Sequence, residues 1–246
     1  RGANPGAKIM SLVAGMVAGA DSIDDMDMLR HGGMKSLFNR VYAPSTLGSH
    51  LRAYTHGHVK QLAAVASRFL INLSHQMDLL PVGSPDGTGR DMIFVDVDDT
   101  VIEVFSPEKH GAGIGYNTLR GLNGLAATIS TAQAAPLILG QQLREGAAHS
   151  VRGAHKMVSD SLATAQRLTD GDAPILARFD SAFYSAKVAK AVRVAGAHYS
   201  VTLPQNAAVK NAIAEIPAEA WIGIKYPRAI FDNESGQWIS DAQVAE

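Results

Sequence analysis

Met92-Ile93-Phe94-Val95-Asp96-Val97-Asp98-Asp99-Thr100 starts as a buried strand and ends in acid. A short β-prone apolar run directly behind a cluster of turn formers reads as a strand. Strand side chains alternate, so Asp96 and Asp98 share one face while Asp99 points to the other. Two like charges at that spacing repel each other unless a cation neutralises them, and hard divalent ions favour carboxylate oxygen. The pair therefore marks a metal or catalytic site. The competing reading is a strand end with solvated acids or an Asx turn.

Working outward from this strand, Pro81-Val82-Gly83-Ser84-Pro85-Asp86-Gly87-Thr88-Gly89 immediately precedes it. So many turn formers in one place set a linker over residues 81–91. Residues 1–80 read as all-helical, with apolar residues at helical spacing over 8–20 and 59–80. In the second stretch Val59, Leu62, Ala63, Ala66, Phe69, Leu70 and Leu73 trace one face. Asp21, Ser22, Asp24, Asp25 and Asp27 suit a helix start, where carboxylates meet unpaired N–H groups. Pro44-Ser45-Thr46 reads as a helix stop and a cap for a helix from about Leu47.

Beyond the acidic run, strands are expected at Leu125–Ile129, Pro136–Leu143, Ile175–Arg178 and His198–Leu203, with helices over His149–Leu168 and Ser185–Ala195. Three strands in succession imply antiparallel hairpins, and the alternating tail implies parallel additions. The fold class is thus α/β: a mixed sheet over residues 92–204 behind an all-helical region. From Trp221 a further β element begins, within 205–246. Asp180 closes the strand Ile175-Leu176-Ala177-Arg178-Phe179 with a helix close behind, where open α/β sheets gather their sites; it could equally cap that helix. Gly111-Ala112-Gly113-Ile114-Gly115-Tyr116-Asn117 lacks dinucleotide-motif spacing and reads as a hairpin connection. His56-x-His58 is a weak, exposed metal candidate.

Composition narrows the function classes. The 246 residues include no cysteine, 46% hydrophobic and 18% charged residues. This excludes a disulfide framework, thiolate zinc ligands and thiol catalysis, and fits a reducing, cytoplasmic setting. The apolar run Ile9–Ala20 falls short of the roughly 20 residues of a membrane span, so no membrane partner is expected. A net charge of −1 argues against a strongly basic nucleic-acid binder, but its distribution argues the opposite. No acid occurs between Asp27 and Asp78, a stretch holding Arg30, Lys35, Arg40, Arg52, Lys60, Arg68 and five histidines. Such a local surplus can engage phosphates by counterion release. Arg144, Arg152, Lys156 and Arg167 form a second, weaker basic group.

Two families share features with these residues. Asp96-Val97-Asp98-Asp99-Thr100 resembles the first motif of haloacid-dehalogenase-like phosphatases, which implies Asp96 as nucleophile, Asp98 as general acid and a magnesium ion. That likeness covers about ten residues, and Pro107 with the glycine run stands where the family has a helix.

The longer resemblance is to insertion-sequence transposases of the DDE type, in the IS-thirteen-eighty-like group. It is carried in order by Gly19-Ala20-Asp21-Ser22-Ile23-Asp24-Asp25, Leu29-Arg30-His31-Gly32-Gly33, Ala43-Pro44-Ser45-Thr46-Leu47-Gly48, Leu51-Arg52, Asp96-Val97-Asp98-Asp99-Thr100, Gly113-Ile114-Gly115-Tyr116-Asn117, Leu143-Arg144-Glu145-Gly146 and Arg178-Phe179-Asp180-Ser181 with Phe183-Tyr184. It implies a ribonuclease H-like catalytic domain performing metal-dependent DNA cleavage and strand transfer. By motif, the first catalytic and metal-binding acid is Asp98, in Asp98-Asp99-Thr100, with Asp96 as the alternative; the second is Asp180. The family's third acid is a glutamate on a late helix after a β-rich insertion. Glu215, Glu219, Glu234 and Glu246 lack its context, so the chain, which begins at Arg1, is expected to be a fragment that stops before it and is inactive alone. The resemblance further implies Mg2+, with Mn2+ as a substitute, and DNA partners in the form of terminal inverted repeats and target DNA, with a homodimer left open. Arg30, Arg40, Arg52, Arg68 and Arg144 are the expected DNA contacts. A non-catalytic DNA-binding remnant is the third reading.

Overall fold

Alternation along β1 (Ile93–Glu103) assigns its two faces: Ile93, Val95, Val97 and Asp99 are buried, while Phe94, Asp96, Asp98 and Thr100 stand on the more open side. The strand runs on to Glu103, so the acids lie in mid-strand and not at its end. The antiparallel partner β3 (Arg120–Ser130) continues the ladder past Asp99 to Glu103, matching Glu103 with Gly121.

β1 is the hub of a six-stranded sheet. β3 pairs antiparallel with β1 on one side, and β4 (Leu137–Arg144) pairs antiparallel with β3. The short β2 (Gly113–Ile114) also pairs with β3, farther along the same edge. On the other side β5 (Ile175–Phe179) lies parallel to β1, and β6 (His198–Val201) parallel to β5. Three long antiparallel strands are followed by two parallel ones, in spatial order β4-β3-β1-β5-β6, an arrangement that agrees with the expected ribonuclease H-like sheet. The expected mixed α/β architecture is the observed one.

Two helices cover the Val95 face. α5 (Ala154–Leu168) buries Ala154, Val158, Ser161, Leu162 and Ala165, a stripe at helical spacing. α6 (Ala186–Val194) buries Val188 and Val192. They close a core with Ile93, Val95, Val97, Leu125, Ala127, Ile129, Ile175, Ala177, Phe179 and Phe183. α5 starts at Ala154, five residues later than expected, because Ser150–Gly153 form turns and Gly153 holds φ 79° as its N-cap. The Gly111–Asn117 run is a tight hairpin: the amide of Gly115 donates to the carbonyl of Leu119 at 2.9 Å. After β6 come α7 (Ala207–Ala214) and two small antiparallel pairs, β7 (Ile222–Gly223) with β10 (Gln243–Val244) and β8 (Ile230–Asp232) with β9 (Gln237–Ile239).

By internal contacts the chain divides into Arg1–Met77 and Asp78–Glu246. Leu80 belongs to the sheet core, and the hydroxyl of Thr131 donates to the carbonyl of Pro81 at 2.7 Å. The computed structural model describes residues 3–38, 40–81, 92–169, 171, 173–224, 230–234, 236–239 and 242–245, so most of the linker expected at 81–91 lies outside the described residues.

The first unit is helical throughout its described length: α1 (Pro5–Val17), a 3-10 helix (Asp24–Arg30), α2 (Met34–Leu37), α3 (Pro44–Arg52) and α4 (His56–Ser74). Leu12, Met26, Leu29 and Leu47 are its core. Pro44 opens α3 instead of ending a helix, since a missing N–H costs nothing in the first turn. The apolar face read on α4 is helical as expected but none of its residues is buried; the helix's one buried residue, Ile71, lies outside that stripe. No described helix is long and apolar enough to cross a membrane.

Candidate active site

Parallel pairing of β1 with β5 brings together acids 82 positions apart. The register matches Asp96 with Arg178 and Val97 with Phe179, and the next step along both strands reaches Asp98 and Asp180. The backbone at Asp180 is still extended (φ −80°, ψ 178°), so Asp180 faces the same side as Arg178 and hence as Asp98. Both carboxylates are exposed. Each uses one oxygen locally: Asp98 Oδ1 accepts from the amide of Asp99 at 2.8 Å, and Asp180 Oδ1 from the amide of Ala182 at 2.9 Å. Asp180 thus also caps the 3-10 turn Ser181–Phe183. Among the described residues neither carboxylate is paired with a cationic side chain.

Asp96 has a different fate. Arg178 grips it in a fork, with Nε on Oδ1 at 2.6 Å and Nη2 on Oδ2 at 2.7 Å. The guanidinium lies over the Phe94 ring, 4.4 Å from its centroid. Its hydrogen bonds to Asp96 raise the Arg178 pKa above the ordinary arginine value. Asp96 is therefore neutralised where it stands, whereas Asp98 and Asp180 form a bare negative pair. Hard divalent cations accept such oxygens, and the pair fits a metal as part of a ligand set. No group of three or more His, Cys, Asp or Glu suited to a metal occurs among the described residues, so water, a phosphate or another carboxylate must complete it.

Asp99 lies on the far face of β1, buried with Arg144. Arg144 Nη2 donates to Asp99 Oδ2 at 2.7 Å, and both side chains are only 5% exposed. Burial pulls the Arg144 pKa below the ordinary arginine value, and Asp99 opposes that pull. The expectation that Arg144 contacts DNA is corrected here: its guanidinium is spent inside the protein, also bonding Asn123 and the carbonyls of His149, Ser150 and Arg152. Asn123 and Ser150 escaped the sequence reading. The available signal was Asp99 itself, an acid in phase with Ile93, Val95 and Val97.

The other expected DNA contacts lie on separate parts of the helical unit. Arg30 is paired with Asp27 at 2.6 Å, and Arg52 Nη2 donates to Ser49 Oγ at 3.2 Å. Arg40 and Arg68 are exposed. In the weaker basic group, Arg152 pairs with Glu145 and Lys156 with Asp160, both at the surface; such pairs contribute little and exchange readily. His58 bonds Thr55 in a capping box at the start of α4.

A family model described as transposase DDE domain group 1 matches residues 6–234. No curated protein sequence matches the chain. Among solved structures, the piggyBac transposase synaptic complex with hairpin DNA is 12% identical, with a TM-score of 0.37 over 87% of this chain and 44% of that one. The Mos1 transposase paired-end complex with left transposon end is 8% identical, TM-score 0.29, over 81% and 59%. The Mos1 mariner paired end complex with Mn is 8% identical, TM-score 0.30, over 85% and 64%. The chain spans less than two thirds of the length of each of these proteins.

Proposed function

The chain belongs to the transposase DDE domain family, and from that premise we propose that it carries the first two catalytic acids, Asp98 and Asp180, of a DNA transposase that cuts and rejoins phosphodiester bonds. The observation that carries this reading is the β1–β5 register, whose continuation by one step past Val97 and Phe179 reaches Asp98 and Asp180, two exposed carboxylates with no cationic partner among the described residues. Asp98, not Asp96, is the first acid. A cation approaching Asp96 would meet the Arg178 guanidinium, already bonded to both of its oxygens. The same fork leaves Asp96 no free oxygen for nucleophilic attack on phosphorus, which disfavours the phosphatase reading.

Asp98 and Asp180 would hold Mg2+, or Mn2+ in its place. When bound, divalent ions in such sites activate the attacking oxygen and stabilise the leaving one. The protein's part is positioning. Backbone amides fix one oxygen of each carboxylate, so the pair need not reorganise on binding. Arg178, beside the pair, is committed to Asp96 and so keeps that neighbouring carboxylate from competing for the ion. The third acid of the family motif is a glutamate outside this pair. Substrates are the terminal inverted repeats of an insertion sequence of the IS-thirteen-eighty-like group and its target DNA, in the cytoplasm. Arg30, Arg40, Arg52 and Arg68 supply sequence-independent phosphate contacts from the helical unit, whose eight Lys and Arg against four Asp make it net basic.

In the full-length protein, Asp98→Ala or Asp180→Ala abolishes metal-dependent cleavage of terminal-repeat DNA, while gel-shift binding of that DNA persists. Undiminished cleavage by either variant would refute the assignment.

A further inference from the structure

Beneath Asp98 lies a buried polar hub that the proposed chemistry does not use directly. Asp99 Oδ2 accepts from Arg144 Nη2 at 2.7 Å and from Asn123 Nδ2 at 2.6 Å, and its Oδ1 accepts from Ser150 Oγ at 2.9 Å. Arg144 Nε donates to Asn123 Oδ1 at 2.9 Å, and Nη1 donates to three carbonyls between His149 and Arg152. One carboxylate and one guanidinium thus tie β1, β3, β4 and the segment entering α5 to each other. Asn123 and Arg144 are direct cross-strand partners.

A hydrophobic residue at position 99 would continue the alternation of Ile93, Val95 and Val97 into the core. Buried ion pairs are commonly matched or exceeded in stability by apolar residues of similar volume, so stability alone does not account for this one. Geometry does. The amide of Asp99 donates to Asp98 Oδ1 at 2.8 Å, and successive side chains on a strand point to opposite faces. Anchoring the Asp99 side chain on one face therefore fixes both the peptide that carries Asp98 and the donor that aims its carboxylate on the other.

We infer that Asp99, Arg144, Asn123 and Ser150 are positioning residues that hold Asp98 in its metal-binding orientation from the opposite face of β1. This rests on the reading of Asp98 as a metal ligand. Outer-shell partners of this kind typically alter metal affinity 10- to 100-fold when changed.

The test is Mn2+ titration of the whole chain followed by electron paramagnetic resonance, at a temperature where circular dichroism shows each variant folded. Arg144→Lys keeps the charge but loses the fork, and it weakens Mn2+ binding about 10-fold in the folded protein. A merely structural hub would lower the melting temperature and leave that affinity unchanged, and folded Arg144→Lys with wild-type affinity overturns the inference. If Arg144→Lys fails to fold, Ser150→Ala decides. It removes a single hydroxyl from Asp99, so a severalfold loss supports the inference and an unchanged affinity overturns it. Asp98→Asn separates the two levels. Retained Mn2+ binding in this variant overturns the ligand reading and the hub with it, whereas lost binding there beside wild-type affinity in the hub variants overturns the hub alone.

Discussion

Asp96, Asp98 and Asp99 lie within four residues of one strand and occupy three chemical environments. Asp96 is gripped by Arg178 at the surface, Asp98 is open, and Asp99 is buried against Arg144. Alternation alone separates Asp99 from the other two. The difference between Asp96 and Asp98 comes from their place along the neighbouring strand: Asp96 is matched with Arg178, whereas Asp98 lies one step beyond the last matched pair, where the adjoining segment reaches Asp180. These environments predict unequal costs on deletion. Asp99→Ala strands the Arg144 guanidinium in the interior and destabilises the protein by about 3–5 kcal/mol. Asp96→Ala breaks a half-exposed pair and costs about 0–1 kcal/mol. Urea denaturation of the two variants measures the contrast, and equal midpoints would contradict it. The facing of all three aspartates was legible in the sequence because strand periodicity is local. The partners were not, because Arg144 and Arg178 reach them through strand pairing across 45 and 82 positions.

At the scale of elements, local signals were read correctly where local physics decides. The acids after Ala20 do begin a helix. Ser22 Oγ accepts from the amide of Asp25 at 3.3 Å, and Asp25 Oδ2 accepts from the amide of Ser22 at 2.8 Å, a reciprocal cap. The Ser22 hydroxyl also donates to Asp25 Oδ2 at 2.7 Å, and this bond is the largest cause of a lowered Asp25 pKa, followed by the one from the Ser22 amide. Because the folded-state value is depressed, the stabilisation is present above the ordinary aspartate range and lost as pH falls through the lowered value. Asp25→Asn accordingly melts at a lower temperature than wild type at pH 7, and the difference closes on acidification toward pH ~2; a difference that is constant with pH would contradict this role. Pro44 was misread because a proline marks both helix ends, and only the chain before it tells which. The α4 stripe shows a further limit: spacing identified the helix correctly, but periodicity cannot say whether an apolar face has a partner. The antiparallel-then-parallel pairing was legible because hairpins and crossovers follow from the succession of elements, while the length of β1 was hidden by its three acids, which mimic a strand end.

For the molecule as a whole, a net charge of −1 conceals two units of opposite charge. Residues 1–77 carry eight Lys and Arg against four Asp, and the remainder carries the acid excess, including the clustered carboxylates. Under the proposed function the basic unit would meet the DNA backbone and the acidic unit the metal ions, so a near-zero sum does not argue against either. The account turns on two segments far apart in sequence meeting at one ion. Fe2+ substituted for Mg2+, with ascorbate and peroxide, generates hydroxyl radicals that cut the polypeptide beside the bound metal, and mass spectrometry locates the cuts. The account predicts two cleavage sites, one around Asp98 and one around Asp180, both suppressed by excess Mg2+ and both lost in Asp98→Asn. Cleavage at one of these sites without the other, or at neither, would contradict it.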